Sequence, residues 1–165
     1  DQGILKAQYT LGMMYRNGEG VLQDNVKAAK WLTMAAEQED ENAQFDLGHM
    51  YQEGEGVSRS DTEAVKWYFK AAHQGHAEAQ FNLGLKYFYG EGVTQDATEA
   101  VNWYRKAAQQ GHAEAQNWLG DIYQDGIFVP QDDNEATKWY LKAAEQGHEK
   151  AILKLDEMKN KKGKR

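Results

Sequence analysis

Cysteine is absent from this sequence of 165 residues, and proline occurs once. The lack of cysteine excludes disulfides, thiolate metal sites and a cysteine nucleophile. Serine is scarce as well, because only Ser58 and Ser60 occur, and no Gly-x-Ser-x-Gly motif is present. These features disfavour a serine-nucleophile enzyme. Long apolar runs are also missing, and a mean hydropathy of -0.87 excludes a transmembrane helix.

The charge balance is acidic. The sequence has 19 basic and 26 acidic residues and a net charge of -7, which argues against nucleic-acid binding. Five of the last seven residues are basic, so residues 1–158 alone hold 14 basic and 26 acidic residues, a net charge of -12. We predict that residues 159–165 form a solvated basic tail, and nuclear localisation or an anionic-surface role is the minority alternative.

The sequence repeats every 36 residues without an insertion. Each repeat has an Ala-Gln pair, a Leu-Gly pair, a tyrosine, a tryptophan and an Ala-Ala pair. In the third repeat these are Ala79-Gln80, Leu83-Gly84, Tyr87, Trp103 and Ala107-Ala108. We predict a solenoid domain at residues 1–158, with repeats at 7–42, 43–78, 79–114 and 115–150 and a partial repeat at 151–158.

Each repeat is predicted to contain two helices, A and B. Ala79, Leu83 and Tyr87 are spaced by four residues, which places them on one face of helix A. Asp96 and Glu99 resemble the capping box that begins a helix. Because one repeat cannot bury both of its apolar faces alone, the expected fold is an all-α, α/α superhelical solenoid.

The glycine inside helix A indicates a close helix contact. Glycine costs about 1 kcal/mol relative to alanine in a helix interior, yet Gly84 has an equivalent in each of the four repeats. We therefore expect helix B to approach helix A at this position, with Trp103 as the facing side chain.

The pattern Ala-Gln-x-x-Leu-Gly-x-x-Tyr, then Gly-x-Gly-Val, Ala-x-x-Trp, Ala-Ala and Gly-His, resembles the Sel-one-like repeat family. These proteins are relatives of the tetratricopeptide repeat, with a longer loop. The resemblance covers essentially the whole chain and implies an α/α superhelix that serves as a scaffold or adaptor for other proteins. It also implies a bacterial role in signalling, the envelope or contact with a host. It implies no common substrate, and we expect no enzyme activity and no cofactor.

Four departures from the repeat lead to further expectations. Glu39-Asp40 replaces Gly-His, so the first B-to-A turn is expected to differ. The fourth loop, residues 126–130, reads Gly-Ile-Phe-Val-Pro and loses the second glycine. Asp156 stands at the glycine position, which predicts a polar capping helix at the C-terminal end. Asp1-Gln2-Gly3 resembles Glu145-Gln146-Gly147, the end of a helix B, which indicates a longer parent array.

The sequence offers no strong metal or phosphate motif. The Gly-Glu-Gly loops are not followed by Gly-Lys-Ser/Thr, and we interpret them as structural turns. His76, His112 and His148 lie one repeat apart and cannot share one ion. His73 and His76 lack a third ligand, so we predict no metal site.

A second stripe on the A helices is the predicted binding surface. It lies about 150° from the core face, and by resemblance to tetratricopeptide repeats it lines the concave groove. The predicted groove residues are Tyr9, Met13, Phe45, His49, Glu53, Glu78, Phe81, Leu85, Phe88 and Tyr89. The alternative is that these side chains pack between adjacent A helices. Trp118 has no counterpart in the other repeats and is either a surface anchor or packs on the neighbouring A helix.

The predicted function is a protein-interaction scaffold that binds a partner protein or peptide through this groove. The acidic body favours a partner with an apolar anchor and basic flanks. The alternative is a carbohydrate-binding or hydrolase-type accessory domain in which aromatic rings stack on sugars. We expect a monomer that neither binds nucleic acid nor inserts into a membrane. The compartment stays open, with a periplasmic or secreted bacterial protein favoured over a cytoplasmic one.

Overall fold

The structure is a computed structural model that describes residues 2–162. The regular secondary structure of these residues is entirely helical, and they contain no strand. The helices are α1 (Gln2–Asn17), α2 (Asn25–Ala36), α3 (Glu41–Glu53), α4 (Asp61–Gln74), α5 (Ala77–Tyr89), α6 (Ala97–Gln109), α7 (Ala113–Asp125), α8 (Asp133–Glu145) and α9 (Glu149–Lys162). The odd-numbered helices are the predicted A helices, and the even-numbered ones are the B helices. No helix within the described range combines the length and hydropathy that a membrane span requires.

The chain divides into two compact units, Asp1–Gln95 and Asp96–Arg165. In the first unit each helix from α1 to α4 packs on the next one along the chain. The second unit follows the same rule from α6 to α9, with a smaller direct contact between α7 and α9. Packing between chain neighbours is the defining feature of a solenoid. The predicted all-α solenoid class is confirmed.

The B helices begin at acidic or serine caps, as predicted. The side chain of Ser60 accepts a hydrogen bond from the backbone N–H of Glu63, and Asp96 accepts from Glu99. Asp24 makes the same bond to the N–H of Lys27, although a lysine replaces the acid of the capping box. The cap therefore depends on the first residue of the motif, because that residue satisfies the unpaired N–H.

The B-to-A turn of the first repeat keeps the geometry of the later turns. His76 Nδ1 accepts from the N–H of Ala79 at 3.1 Å, and Asp40 accepts from Ala43 at 2.8 Å in the same way. Glu39 adopts a left-handed φ of 68°, where the second repeat has a glycine. The expectation that this turn would differ is wrong, because an aspartate caps a helix as well as a histidine does.

The glutamine of the second, third and fourth Ala-Gln pairs caps the C-terminal end of the preceding helix B. Gln44, Gln80 and Gln116 are buried, and each Nε2 donates to the carbonyl of the second alanine of an Ala-Ala pair at 3.0 Å. The last carbonyls of a helix have no partner within it, and burial makes an unpaired carbonyl costly. This long-range cap explains why the glutamine recurs with the repeat.

At Gly48 and Gly120 the helical glycine does face helix B closely, and the facing side chain is a tyrosine where the repeat pattern predicted a tryptophan. A Cβ at Gly48 would lie 2.8 Å from Tyr68 Cδ1, and one at Gly120 would overlap the Tyr140 ring. Trp67 is also buried, and its ring lies under Lys70, with Nζ 4.2 Å from the centroid. Trp67 and Tyr68 are adjacent on α4 and point in different directions around it. The rotation of α4 about its own axis therefore decides which ring faces the glycine.

The second glycine of the Gly-Glu-Gly loop allows two backbones to touch. A Cβ at Gly56 would overlap the carbonyl of Asn25, and one at Gly92 would overlap the backbone of Asp61. Asn25 and Asp61 are the first residues of the preceding B helices. In the fourth loop Phe128 occupies this repeat position with a left-handed φ of 63°. The loops are therefore contacts between repeats as well as turns.

Helix α9 closes the apolar core of the second unit. Ala151, Leu155 and Met158 are buried in a cluster that includes Tyr140 of α8. Asp156 is exposed, which fits a polar capping helix. The helix extends through the first four residues of the predicted tail, and residues 163–165 lie outside the described range.

The first residues of the chain differ from the expectation of a helix B end. Helix α1 begins at Gln2, so Gly3 lies inside a helix and has no left-handed backbone. Asp1 lies outside the described residues.

Candidate functional site

The predicted groove residues all belong to the first unit, and we call them together the A surface. They lie on three A helices, with Tyr9 and Met13 on α1, Phe45, His49 and Glu53 on α3, and Glu78, Phe81, Leu85, Phe88 and Tyr89 on α5. The three helices do not present the same chemistry. Between α1 and α3 the surface is polar and hydrogen-bonded, and on α5 it is aromatic.

Arg16 organises the part of the A surface between α1 and α3. Its guanidinium donates to Asp46 Oδ1 at 2.9 Å and to Glu55 Oε2 at 3.1 Å. Its Nη2 lies 3.0 Å from His49 Nδ1. Because arginine only donates, His49 Nδ1 is the acceptor and the proton of the neutral ring is on Nε2. Asp46 is also held by Tyr9, whose hydroxyl donates to Oδ2 at 3.0 Å.

Asp46 is the buried charge in this network, with 8% of its surface exposed. Burial raises the pKa of its carboxyl, while the hydrogen bond from Tyr9 and the charge of Arg16 lower it in part. Burial and the neighbouring Asp46 carboxylate raise the pKa of Tyr9 to about 12, so the phenol stays a donor at neutral pH. The network therefore fixes the orientation of Tyr9 and His49 at the surface.

Phe45 and Met13 form a half-buried apolar layer beside this network. The Phe45 ring stacks on the imidazole of His76, with centroids 4.6 Å apart, and lies 5.8 Å from the Tyr68 ring. Met13 packs against the buried cluster around Leu32. Both side chains are therefore partly exposed and also pack on core residues, because neighbouring helices cover more than one side of an A helix.

On α5 the predicted apolar floor is largely covered. Phe81 is only 8% exposed, so the expectation that it lies away from buried packing is wrong. Leu85 and Phe88 are half-buried. Tyr89 is 57% exposed, and the Phe88 ring meets its ring edge-on at a centroid distance of 5.0 Å. The exposed aromatic residue of this part of the surface is therefore Tyr89.

Two residues of the A surface, Glu53 and Glu78, are exposed acids. Glu53 accepts a hydrogen bond from Gln52 Nε2 at 2.9 Å. Glu78 lies in the first turn of α5, where the helix dipole favours a negative charge. Both carboxylates face solvent and can attract a basic partner.

Arg16, Asp46 and Lys86 were not predicted as organising residues. Lys86 is 4% exposed, and its ammonium donates to Asp61 at 2.7 Å and to Glu91 at 2.8 Å. Its hydrogen bond lowers the pKa of the Asp61 carboxyl. The sequence does contain a signal, because the positions equivalent to Lys86 in the other repeats hold methionine or isoleucine. A charge at a core position needs a buried partner.

Trp118 is half-buried in the second unit. Its ring stacks on that of Tyr104, with a centroid distance of 5.6 Å and an interplanar angle of 27°. This placement supports the packing alternative over the surface anchor. One packing partner is therefore Tyr104, on helix B of the third repeat.

The described residues contain no group of three His, Asp or Glu side chains that could hold a metal ion. His76 and His112 each use Nδ1 to cap a helix. The Nδ1 atom of His148 accepts a hydrogen bond from the N–H of Ala151 at 3.3 Å and so caps α9, and its Nε2 lies 2.7 Å from Glu114 Oε2. These histidines have structural partners.

The chain is an α/α repeat protein, because its helix pairs are of similar length, its caps lie at matched positions and, within each compact unit, the helices pack on their chain neighbours. The particular repeat is that of the Sel1 family, whose model matches residues 5–40, 42–76, 77–112 and 113–148. The chain belongs to the Sel1 repeat family. Proteins of this family generally serve as protein-interaction scaffolds and are generally not enzymes.

Several solved structures resemble the chain. One is c5321, a protective antigen of uropathogenic Escherichia coli with an SLR fold, at 44% identity and a TM-score of 0.92 over 95% of this chain and 34% of that one. A Sel1 repeat protein from Oxalobacter formigenes is 38% identical, with a TM-score of 0.86 over 92% of this chain and 62% of that one. The immunity protein Pa5087 from Pseudomonas aeruginosa is 26% identical, with a TM-score of 0.58 over 89% and 54%.

The chain thus spans about a third of the E. coli protein and less than two thirds of the O. formigenes protein. No curated protein matches the chain.

Proposed function

We propose that this chain binds a protein or peptide partner through the A surface of its first unit. The observation that carries the proposal is the network around Arg16, which holds Tyr9 and His49 in fixed orientations. A surface whose side chains are already ordered loses little conformational entropy on binding. The family's general role as a scaffold supports the same conclusion.

Tyr89 is the proposed anchor point of this surface. It is more than half exposed, and the contact with Phe88 restricts its ring. Tyrosine contributes a large contact area with few rotatable bonds, which is why it is enriched at binding hot spots. The half-buried Leu85 adds apolar area on the same helix.

The proposed partner carries an apolar anchor flanked by basic residues. Glu53 and Glu78 are exposed at the edge of the surface, and residues 1–158 carry a net charge of -12. Long-range attraction of this kind mainly speeds association, and it fades once charges are separated by more than the screening length of about 8 Å in physiological salt. Association should therefore slow as salt is added.

The proposal is tested with a peptide selected on the whole chain from a random display library. Its dissociation constant is measured by calorimetry for the parent, for Tyr89→Ser and for His49→Ala. We expect Tyr89→Ser to weaken binding by about 30-fold, the effect of losing a hot-spot residue worth about 2 kcal/mol. Phe69→Ser is the matched control, because Phe69 is also exposed, at 43%, but lies on α4.

Urea unfolding of each variant separates a loss of binding from a loss of folding. Binding that survives both A-surface substitutions and is lost in Phe69→Ser would place the binding surface on the B helices and refute the proposal.

We also propose a role in a bacterial envelope or in contact with a host. The relative described as a protective antigen of uropathogenic E. coli supports this role. Fractionation of the source cells tests it, with the protein expected in the periplasmic or secreted fraction. Recovery in the cytosolic fraction alone would contradict it.

A further inference from the structure

The second unit contains a pocket that the A surface does not include. It has a volume of about 190 Å³ and lies between α7 and α9. Its lining residues are Asn117, Asp121, Lys150, Leu153, Lys154 and Glu157. The pocket combines an amide, both signs of charge and an apolar side chain within a small volume.

Asn117 is the buried polar residue of this pocket. Its side chain is 4% exposed, and its Oδ1 is buried without a hydrogen-bond partner. Its Nδ2 donates to Asp121 Oδ2 at 3.3 Å, which identifies Oδ1 as the free acceptor. Folded proteins leave few buried acceptors unpaired, and such atoms often mark a place where another molecule supplies the donor.

Asp121 is already engaged by protein groups. Its Oδ1 accepts a hydrogen bond from the Tyr140 hydroxyl at 2.7 Å, and Lys154 Nζ lies 3.8 Å from the same oxygen. Burial and the bond to Asp121 raise the pKa of Tyr140, so the phenol remains a donor. Asp121 therefore holds Asn117 in place and has little capacity left for a ligand.

The unused groups of the pocket are on α9. Within the described residues Lys150 forms no ion pair, and Lys154 has only the long contact to Asp121. Leu153 lies between them in the sequence and is 63% exposed. Glu157 is one turn beyond Lys154 and supplies a second acceptor. The pocket thus offers two ammonium groups, an apolar side chain and unpaired acceptors.

We propose that this pocket binds a peptide segment with an acidic side chain next to an apolar one. A backbone N–H of the peptide donates to Asn117 Oδ1, its carboxylate pairs with Lys150, and the apolar side chain packs on Leu153. The site is independent of the A surface, so either proposal can fail alone.

The test uses three blocked dipeptides, acetyl-Asp-Leu-amide, acetyl-Asn-Leu-amide and acetyl-Lys-Leu-amide, titrated into the whole isotope-labelled chain. Nuclear magnetic resonance follows the side-chain amide of Asn117 and the methyl groups of Leu153. We expect saturable shifts of both signals with the aspartate peptide and binding about threefold to fivefold weaker with the asparagine peptide, as for one exposed ion pair. Stronger binding of the lysine peptide would show that Asp121 and Glu157 dominate and would overturn the proposal.

Two variants complete the experiment. Lys150→Gln should reduce the affinity for the aspartate peptide to that for the asparagine peptide, whereas Lys142→Gln, at an exposed lysine over the Trp139 ring outside the pocket, should leave it unchanged. Asn117→Leu should weaken binding while the urea midpoint changes little, because the substitution removes both the unpaired acceptor and the 3.3 Å hydrogen bond to Asp121. Absence of shifts in the parent, or equal affinities in parent and Lys150→Gln, would refute the proposal.

Discussion

Replacing Gly56 with alanine tests whether the loop glycines serve contacts between repeats. Gly56 has a φ of +69°, and a Cβ there would overlap the carbonyl of Asn25 at the start of α2. Gly20 is the equivalent residue of the first repeat and has a φ of +73°, but its nearest atom to a new Cβ is Met14 Cε at 3.4 Å. The two glycines therefore share the backbone conformation and differ in the close approach.

The magnitudes follow from this comparison. A left-handed conformation costs an alanine about 1–2 kcal/mol, and about 0.4–1 kcal/mol is recovered because the unfolded chain is less flexible. Gly20→Ala should therefore destabilise by about 1 kcal/mol. Gly56→Ala adds an overlap with backbone atoms that cannot rotate away, and overpacking of this kind costs about 1–3 kcal/mol. The expected total for Gly56→Ala is about 2–4 kcal/mol.

The assay is urea unfolding followed by helical circular dichroism and tryptophan fluorescence. Midpoints are compared rather than extrapolated free energies, because repeat arrays can unfold in more than one step. The midpoint of Gly56→Ala should fall well below that of Gly20→Ala. Equal midpoints would mean that the backbone conformation alone explains the glycine and would refute the contact argument.

Two further predictions concern the A surface. Burial raises the pKa of Asp46, so its protonated form is favoured in the folded state. The stability that this group contributes is full below its unfolded pKa of about 3.9. That stability is lost as pH rises through the higher folded pKa. Urea midpoints of the parent should therefore fall relative to those of Asp46→Asn as pH rises from about 4 toward neutrality, and the opposite trend would show that pairing with Arg16 outweighs burial. Phe81→Ser should destabilise by about 3–5 kcal/mol, as for a core phenylalanine, while Tyr89→Ser should cost under about 1 kcal/mol. Similar urea midpoints for these two variants would show that Phe81 is not core.

The repeat, the helices and most of their ends could be predicted from the sequence alone. The position of a helix follows from the spacing of apolar residues a few positions apart. The caps are equally local, because Ser60 and Asp96 bond to backbone groups only two or three residues away. The 36-residue period then implies a stack of similar repeats, because a single repeat leaves apolar faces that only a neighbouring repeat can cover. These features are local or repeated, so a single sequence contains enough information to find them.

The candidate site was predicted less well. The stripe of positions was found from helical spacing, but spacing gives an angle around one helix and not the number of neighbours that cover it. Phe81 therefore proved to be buried, whereas Tyr89 remained exposed. The substitution of Glu39-Asp40 for Gly-His suggested a different turn, yet Asp40 keeps the cap and Glu39 accepts the left-handed conformation.

Only the tertiary structure could show which distant residues pair. Arg16 and Asp46 are 30 residues apart, and Lys86 and Asp61 are 25 apart. Nothing in the local sequence of either member specifies the other, because the pairing depends on how far one repeat is rotated on the next. Within one repeat, the packing of α4 on α3 likewise places Tyr68 rather than Trp67 against Gly48. The sequence by itself determined the repeating helix pair, and the packing of neighbouring helices decided the charged network and the buried aromatic residues.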